Sequence, residues 1–190
     1  MAKADTIKKR LPKYGINENQ VKEIIGNGDL VDIIARMDKL LDPEIVYQIL
    51  DSSACGTSVK EIKGIKKIEA ETLKERVNKI ANLDDFHSGW KVSLNQDNTL
   101  TAGWIIKEKD NYACVCSSPV KKGMKVSDLT LGNRAMSLTY CICCAGHCRK
   151  HLQKLLDIQL KTKVIVSSPI SSKGQKPCEF IFDILDNTAL

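Results

Sequence analysis

Trp90-Lys-Val-Ser-Leu-Asn95-Gln-Asp-Asn-Thr-Leu100-Thr-Ala-Gly-Trp-Ile-Ile106 is the stretch that decides the fold. Two runs rich in β-branched and aromatic residues flank the polar tetrad Asn95–Asn98, which is the signature of an antiparallel hairpin. Upstream of Ser88 the texture is helical. Asn17 is a natural N-cap for a helix over 18–26 with Val21, Ile24 and Ile25 on one face. Gly26-Asn27-Gly28 breaks it, and Asp29 caps the next helix, whose Leu30, Ile33, Ile34, Met37, Leu40 and Leu41 follow helical spacing. Asp42-Pro43 restarts the chain with Pro43 at the first helical position. After Cys55-Gly56 a further helical pattern runs through Ile68, Leu73, Val77, Ile80 and Leu83.

Downstream of the hairpin, a third strand is expected over 112–117, after the polar turn Lys107–Asn111, and a loop from Pro119 to about Gly132. A helix over about 144–160 with Leu152, Leu155, Leu156 and Leu160 at helical spacing comes next, then strands over about 162–168 and 178–185 around a Ser/Pro/Gly/Lys loop. Val92 and Leu94, with Val164 and Val166, are the expected core positions of the sheet. The class is therefore α+β: helices over 1–87, then 88–190 as an antiparallel sheet of about five strands with a cysteine-bearing helix across it, the two forming one compact unit.

Hydrophobic residues make up 43% of the 190-residue chain and charged residues 27%, as in an ordinary globular protein. No apolar run approaches the roughly 20 residues of a membrane span, and Met-Ala-Lys-Ala-Asp-Thr-Ile lacks the apolar core of a secretory signal. A cytoplasmic address and no membrane partner are expected, with the thiols reduced, metal-bound or reactive. The net charge is +6, from 29 basic and 23 acidic residues; 15 of each fall in 1–88, so the remaining 14 basic and 8 acidic side chains lie with the cysteines in 89–190. The lysines are scattered, aromatics are 5%, and no helix-turn-helix, RNA-recognition or zinc-finger pattern occurs, so nucleic acid is not the expected partner. A small anionic ligand is, and self-association is open.

The chemistry is carried by Cys141-Ile-Cys143-Cys144-Ala-Gly-His147-Cys148, followed by Arg149, Lys150 and His151. In a continuous helix, Cys141, Cys144, Cys148, His151 and Leu155 recur at steps of three and four on one face, with His147 beside Cys144 and Cys148 and Cys143 turned elsewhere. Cys114 and Cys116 share one face of a strand by alternation. If that face meets the helix, the sulfurs gather, and Cys/His mixtures suit tetrahedral zinc, whereas an iron–sulfur cluster needs mostly thiolates. Metal-ligand candidates are thus Cys144, His147 and Cys148 at the centre, with Cys141, Cys114, Cys116 and Cys178 around them. Arg149 and Lys150 are candidates for holding an anionic ligand or cofactor. Against this stands the plain role of buried cysteine as a small hydrophobe; His87 reads as a surface histidine and Cys55 as incidental to a helix end.

Thiol catalysis is the competing chemistry. Cys144 or Cys148 has His147 or His151 within one turn and two cations next in sequence, features that favour a thiolate nucleophile for a hydrolase or thiol-redox protein.

The C-terminal run of a helix with a glycine near its start (Gly146-His147 through Leu160), a strand (163–167), a glycine-containing loop and Cys178-Glu179-Phe180 resembles the C-terminal half of the 4-vinyl-reductase-type domain. That domain is a small-molecule-binding module found alone and in bacterial regulators. The resemblance implies a zinc site fed by a cysteine before the loop and by the cysteine of Cys-x-Phe. Cys178 matches the second position. The first is unmatched, since the loop reads Ser167-Ser-Pro-Ile-Ser-Ser-Lys-Gly174, which leaves the 141–148 cysteines to replace it. The general layout is also similar to bacterial L-2-amino-thiazoline-4-carboxylic acid hydrolase-like proteins, from which no catalytic residue maps. The expectation is a binding or sensory module that holds zinc or a small ligand.

Overall fold

The computed structural model describes residues 4–54, 67–81, 90–108, 110–114, 130–131 and 134–185. Cys55, His87, Cys116, most of the loop expected over 119–132 and the far end of the strand expected over 112–117 lie outside them. Four helices open the chain: α1 (Ala4–Arg10), α2 (Glu18–Ile25), α3 (Leu30–Leu40) and α4 (Pro43–Ser52). The last three start at the caps read from the sequence. Asn17 and Gln20 form a reciprocal capping box, the Asp29 carboxylate accepts from Val31 N and Asp32 N, and Asp42 accepts from Glu44 N with Pro43 behind it. Each satisfies amide groups that a helix start otherwise leaves open. A further helix, α5 (Leu73–Ala81), comes next, and no strand precedes β1 among the described residues.

Strands β1 (Trp90–Leu94) and β2 (Thr99–Trp104) form the expected hairpin, with Leu94 opposite Leu100 and Trp90 opposite Trp104. The turn is held by Asn95, whose side-chain amide donates to the Thr99 and Thr101 hydroxyls, and by Asn98 in the left-handed region. Strands β7 (Leu160–Ser167) and β8 (Cys178–Ile184) complete an antiparallel sheet of order β1-β2-β8-β7.

The described part of the third strand, residues 112–114, does not join this sheet. Lys107–Glu108 (β3) pairs with Asn111–Tyr112 (β4) in a separate short ladder, Tyr112 N–H donates to Gly174 O and Ala113 N–H to Ile106 O. The polar turn folds back on itself, and Cys114 lies beyond it outside any strand. A second short ladder joins Thr130–Leu131 (β5) and Arg134–Ala135 (β6).

Val92 is buried and Leu94 half-buried, as expected, but Val164 and Val166 are 45% and 42% exposed. Pairing of β7 with β8 skips at Thr162/Val164 and again at Ile165/Ser167. Each bulge inserts one unpaired residue and reverses the phase of the strand beyond it. Leu160 and Thr162 face inward and are buried, both valines turn out beyond the first bulge, and Ser167, opposite Glu179, is buried beyond the second.

The cysteine-bearing helix α6 (Ile142–Leu156) is preceded by a 3₁₀ turn over Leu138–Cys141. It ends four residues before the sequence suggested, because Asp157 adopts the left-handed conformation (φ 53°) and Leu160 already pairs with Ile184. Its last turn is closed by α5 and the segment before it: Arg76, buried, donates to Leu156 O at 2.6 Å, and Lys67 pairs with Asp157 at 2.6 Å. A cation at this end also complements the helix dipole. A single helical turn, α7 (Pro169–Ser172), capped by Ser168, occupies the loop before β8. Helix α6 packs on β7 and β2 on one side and on α4 on the other. One hydrophobic cluster runs from Ile7 in α1 to Phe182 in β8, so the helical and sheet segments share a core.

Gly103, on central strand β2, shows how tight the sheet is: a Cβ there would run into the Cys178 carbonyl oxygen. Gly103→Ala is expected to destabilise the fold by about 1–3 kcal/mol, the usual range for overpacking. Urea unfolding checks this, with a lower midpoint at an unchanged slope; an unchanged midpoint would show that the strands part without cost.

Candidate functional site

The hairpin register sets the site's floor. Trp90 on β1 stands opposite Trp104 on β2, and Trp104 stands opposite Cys178 on β8. Directly opposed residues share one face of a sheet, so these three form a row across it. Helix α6 lies over that row. His147 and His151, one helical turn apart, have ring centroids 4.5 Å from one another. His147 lies 6.1 Å from the Trp104 ring and His151 lies edge-on to Trp90 at 6.2 Å. The two tryptophans meet edge-to-face at 5.6 Å, and Phe180 continues the cluster 5.8 Å from Trp104. Such separations and tilts are the favoured arrangements of aromatic pairs.

Burial grades the cluster. Trp104 and His151 are each 5% exposed, whereas Trp90 and His147 are half-buried and form its rim. Cys144 and Cys148 are buried on α6, Cys141 is buried at the end of the 3₁₀ turn before it, and Cys114 and Cys178 are buried as well. Cys143 is fully buried as well, so α6 is covered nearly all round rather than along one stripe.

Cys148 and Cys178 come together beneath the helix. Removal from water pushes the Cys148 thiol well up, and the nearby Cys178 sulfur raises it further. Both effects oppose formation of a thiolate. Among the described residues, no three His, Cys, Asp or Glu side chains are grouped as ligands of one metal ion.

Arg149 and Lys150 lie apart from the imidazoles. By helical spacing, Gly146, Arg149, Lys150 and Gln153 share the side of α6 turned to α4, while Cys144, His147, Cys148 and His151 share the side turned to the sheet. Arg149 pairs with Asp51 of α4 at 2.7 Å and also donates to Gln153 Oε1 and Leu160 O. Gly146 permits this approach, since a Cβ there would come within 2.7 Å of Asp51 Oδ1. Arg149 is therefore a structural clamp that draws α4, α6 and the start of β7 together.

His147, Cys148 and His151 meet the sheet side that helical spacing gave them, but the spacing did not disclose the tryptophans. A signal existed: Trp90 and Trp104 stand four residues before Leu94 and four after Leu100, so the hairpin pairs them. Helix α6, strand β7 and the start of β8 at Cys178 follow one another in the chain in that order. No family model, no curated protein and no solved structure matches this chain.

Cys148 is expected to resist iodoacetamide near neutral pH in the folded chain and to react only after denaturation, as read by peptide mass mapping; rapid native labelling would contradict the burial. Asp51→Ala strands a mostly buried guanidinium and is expected to cost about 2 kcal/mol in urea unfolding, below the 3–5 kcal/mol of a fully buried pair because the two side chains keep 16% and 18% exposure.

Proposed function

We propose that this chain is a binding module, sensory rather than catalytic, which holds a small ligand or a soft metal ion against the His147–His151 pair and its tryptophan floor. The observation that carries this reading is the packing of both imidazoles, 4.5 Å apart, against both tryptophans of the chain, with Trp90 and His147 at the rim. Aromatic faces supply contact area, while the imidazoles add hydrogen-bonding or metal-binding nitrogens, the mixture typical of small-ligand sites. Paired imidazoles suit zinc, copper or nickel. The zinc implied by the family resemblance would take His147 and His151 as its first nitrogens, with Cys144 and Cys148 the thiols of the same helix side.

Thiol catalysis is the weaker reading, because burial drives Cys148 away from the thiolate that a nucleophile needs. A cytoplasmic setting accords with a cysteine-rich chain whose described residues include no helix long and apolar enough to cross a membrane.

The test uses the two tryptophans as reporters. The full chain is expected to retain a metal or a small molecule through purification, seen by metal analysis and native mass spectrometry. Nickel titration is expected to quench tryptophan fluorescence saturably, and His147→Ala to weaken that response by about tenfold or more, as loss of one of two chelating imidazoles demands. The reading fails if the purified chain carries nothing and nickel leaves fluorescence indifferent or acts equally on His147→Ala.

A further inference from the structure

The opposite side of α6 carries an unbalanced charge cluster. Arg10 ends α1, which packs on α4; Asp51 lies on α4, which packs on α6, and Arg149 and Lys150 lie on α6, where the charges of Asp51, Arg149 and Arg10 all act on Lys150. Asp51 is committed to Arg149 at 2.7 Å in a contact that is largely out of water. Three cations thus share one carboxylate, and two positive charges lack a counter-charge among the described residues.

The two left over are Arg10 and Lys150. Arg10 is half-buried, and its Nε is buried with no hydrogen-bond partner among the described residues. Lys150 is half-buried and forms no ion pair among them. Its ammonium is held below the usual lysine range, first by burial and then by repulsion from Arg149 and Arg10, with Asp51 pulling the other way. Cations are seldom gathered out of water without a counter-charge.

We propose that Arg10, Lys150 and the Asp51-bound Arg149 form a binding site for a small dianionic oxoanion, a free phosphate or a phosphate monoester, at the junction of α1, α4 and α6. Two uncompensated cations match a dianion in charge. The guanidinium supplies planar, directed donors and the ammonium a compact point charge, the usual pairing in phosphate recognition. The Arg149–Asp51 clamp sets the distance between the helices and so fixes the site before the anion arrives. This site lies on the face of α6 away from His147 and His151, so it stands independently of the ligand proposed there.

The experiment is calorimetric titration of the full chain with sodium phosphate and, separately, with glycerol phosphate, each against sodium chloride at matched ionic strength. Saturable binding is expected for the phosphates and none for chloride. Lys150→Met, which keeps the apolar stem, and Arg10→Met are each expected to weaken binding by about tenfold, the effect of losing one charge-assisted contact of about 1.4 kcal/mol. Lys150→Arg should retain it, and thermal melting of each variant verifies folding. Tighter binding of glycerol phosphate assigns a monoester as occupant, and the reverse order assigns the free ion. A linear response without saturation, or wild-type affinity in folded Lys150→Met, overturns the proposal.

Discussion

The close approach of α4 to α6 at Gly146 is the constraint on which the rest depends. The Asp51 carboxylate occupies the space that any larger residue at 146 would claim, and Arg149 holds it there. Because α4 comes so near, α6 is enclosed between a helix and a sheet and must be compact along its first turns. The residues that satisfy this are Cys143, Cys144, Ala145, Gly146 and Cys148, all buried. Sulfur side chains fill such a layer well, since a thiol is small, polarisable and only weakly hydrogen-bonding. Part of the cysteine density is therefore a packing solution, and the burial that makes it so also holds the Cys148 thiol in its protonated form.

The same enclosure places the imidazoles. With small residues under the first turns of α6, the helix lies low on the sheet, and His147 and His151 descend onto the Trp90–Trp104 pair instead of standing away from it. The end of the sheet where β1 begins and β2 ends, with the start of β8 beside them, is then the place where aromatic, imidazole and thiol groups meet. Gly103 contributes by letting β2 and β8 close fully, which fixes Cys178 in the row under the helix.

The parts legible in the sequence were those governed by local chemistry. Asn17, Asp29 and Asp42 act as caps because a short polar side chain before an apolar stripe has few other uses, and Asn95–Asn98 turns a hairpin for a similarly local reason. What escaped was set by partners distant in the chain. Val164 and Val166 alternate as core residues should, yet two bulges fixed by pairing with β8 turn them outward. The run around Tyr112 has strand composition, but its amides bond to Ile106 and Gly174 and not to the sheet. Arg149 and Lys150 read as neighbours of the cysteines, and only the position of α4 shows that they serve another side of the helix.

A dense motif on a helix is divided by the helix itself. In Gly146-His147-Cys148-Arg149-Lys150-His151, consecutive residues advance by about 100° around the axis, so six neighbours in sequence spread over every side of it. His147, Cys148 and His151 go to the sheet, while Gly146, Arg149 and Lys150 go to α4. Closeness in sequence therefore concentrates these groups along the axis of α6 without joining them into one site. A residue's chemistry here is decided by the layer it enters: His147 joins an aromatic row, Arg149 a carboxylate, and Cys148 an apolar interior where its thiol is hardest to ionise. The helix is a partition between two different environments, and its alternating sequence is what a partition requires.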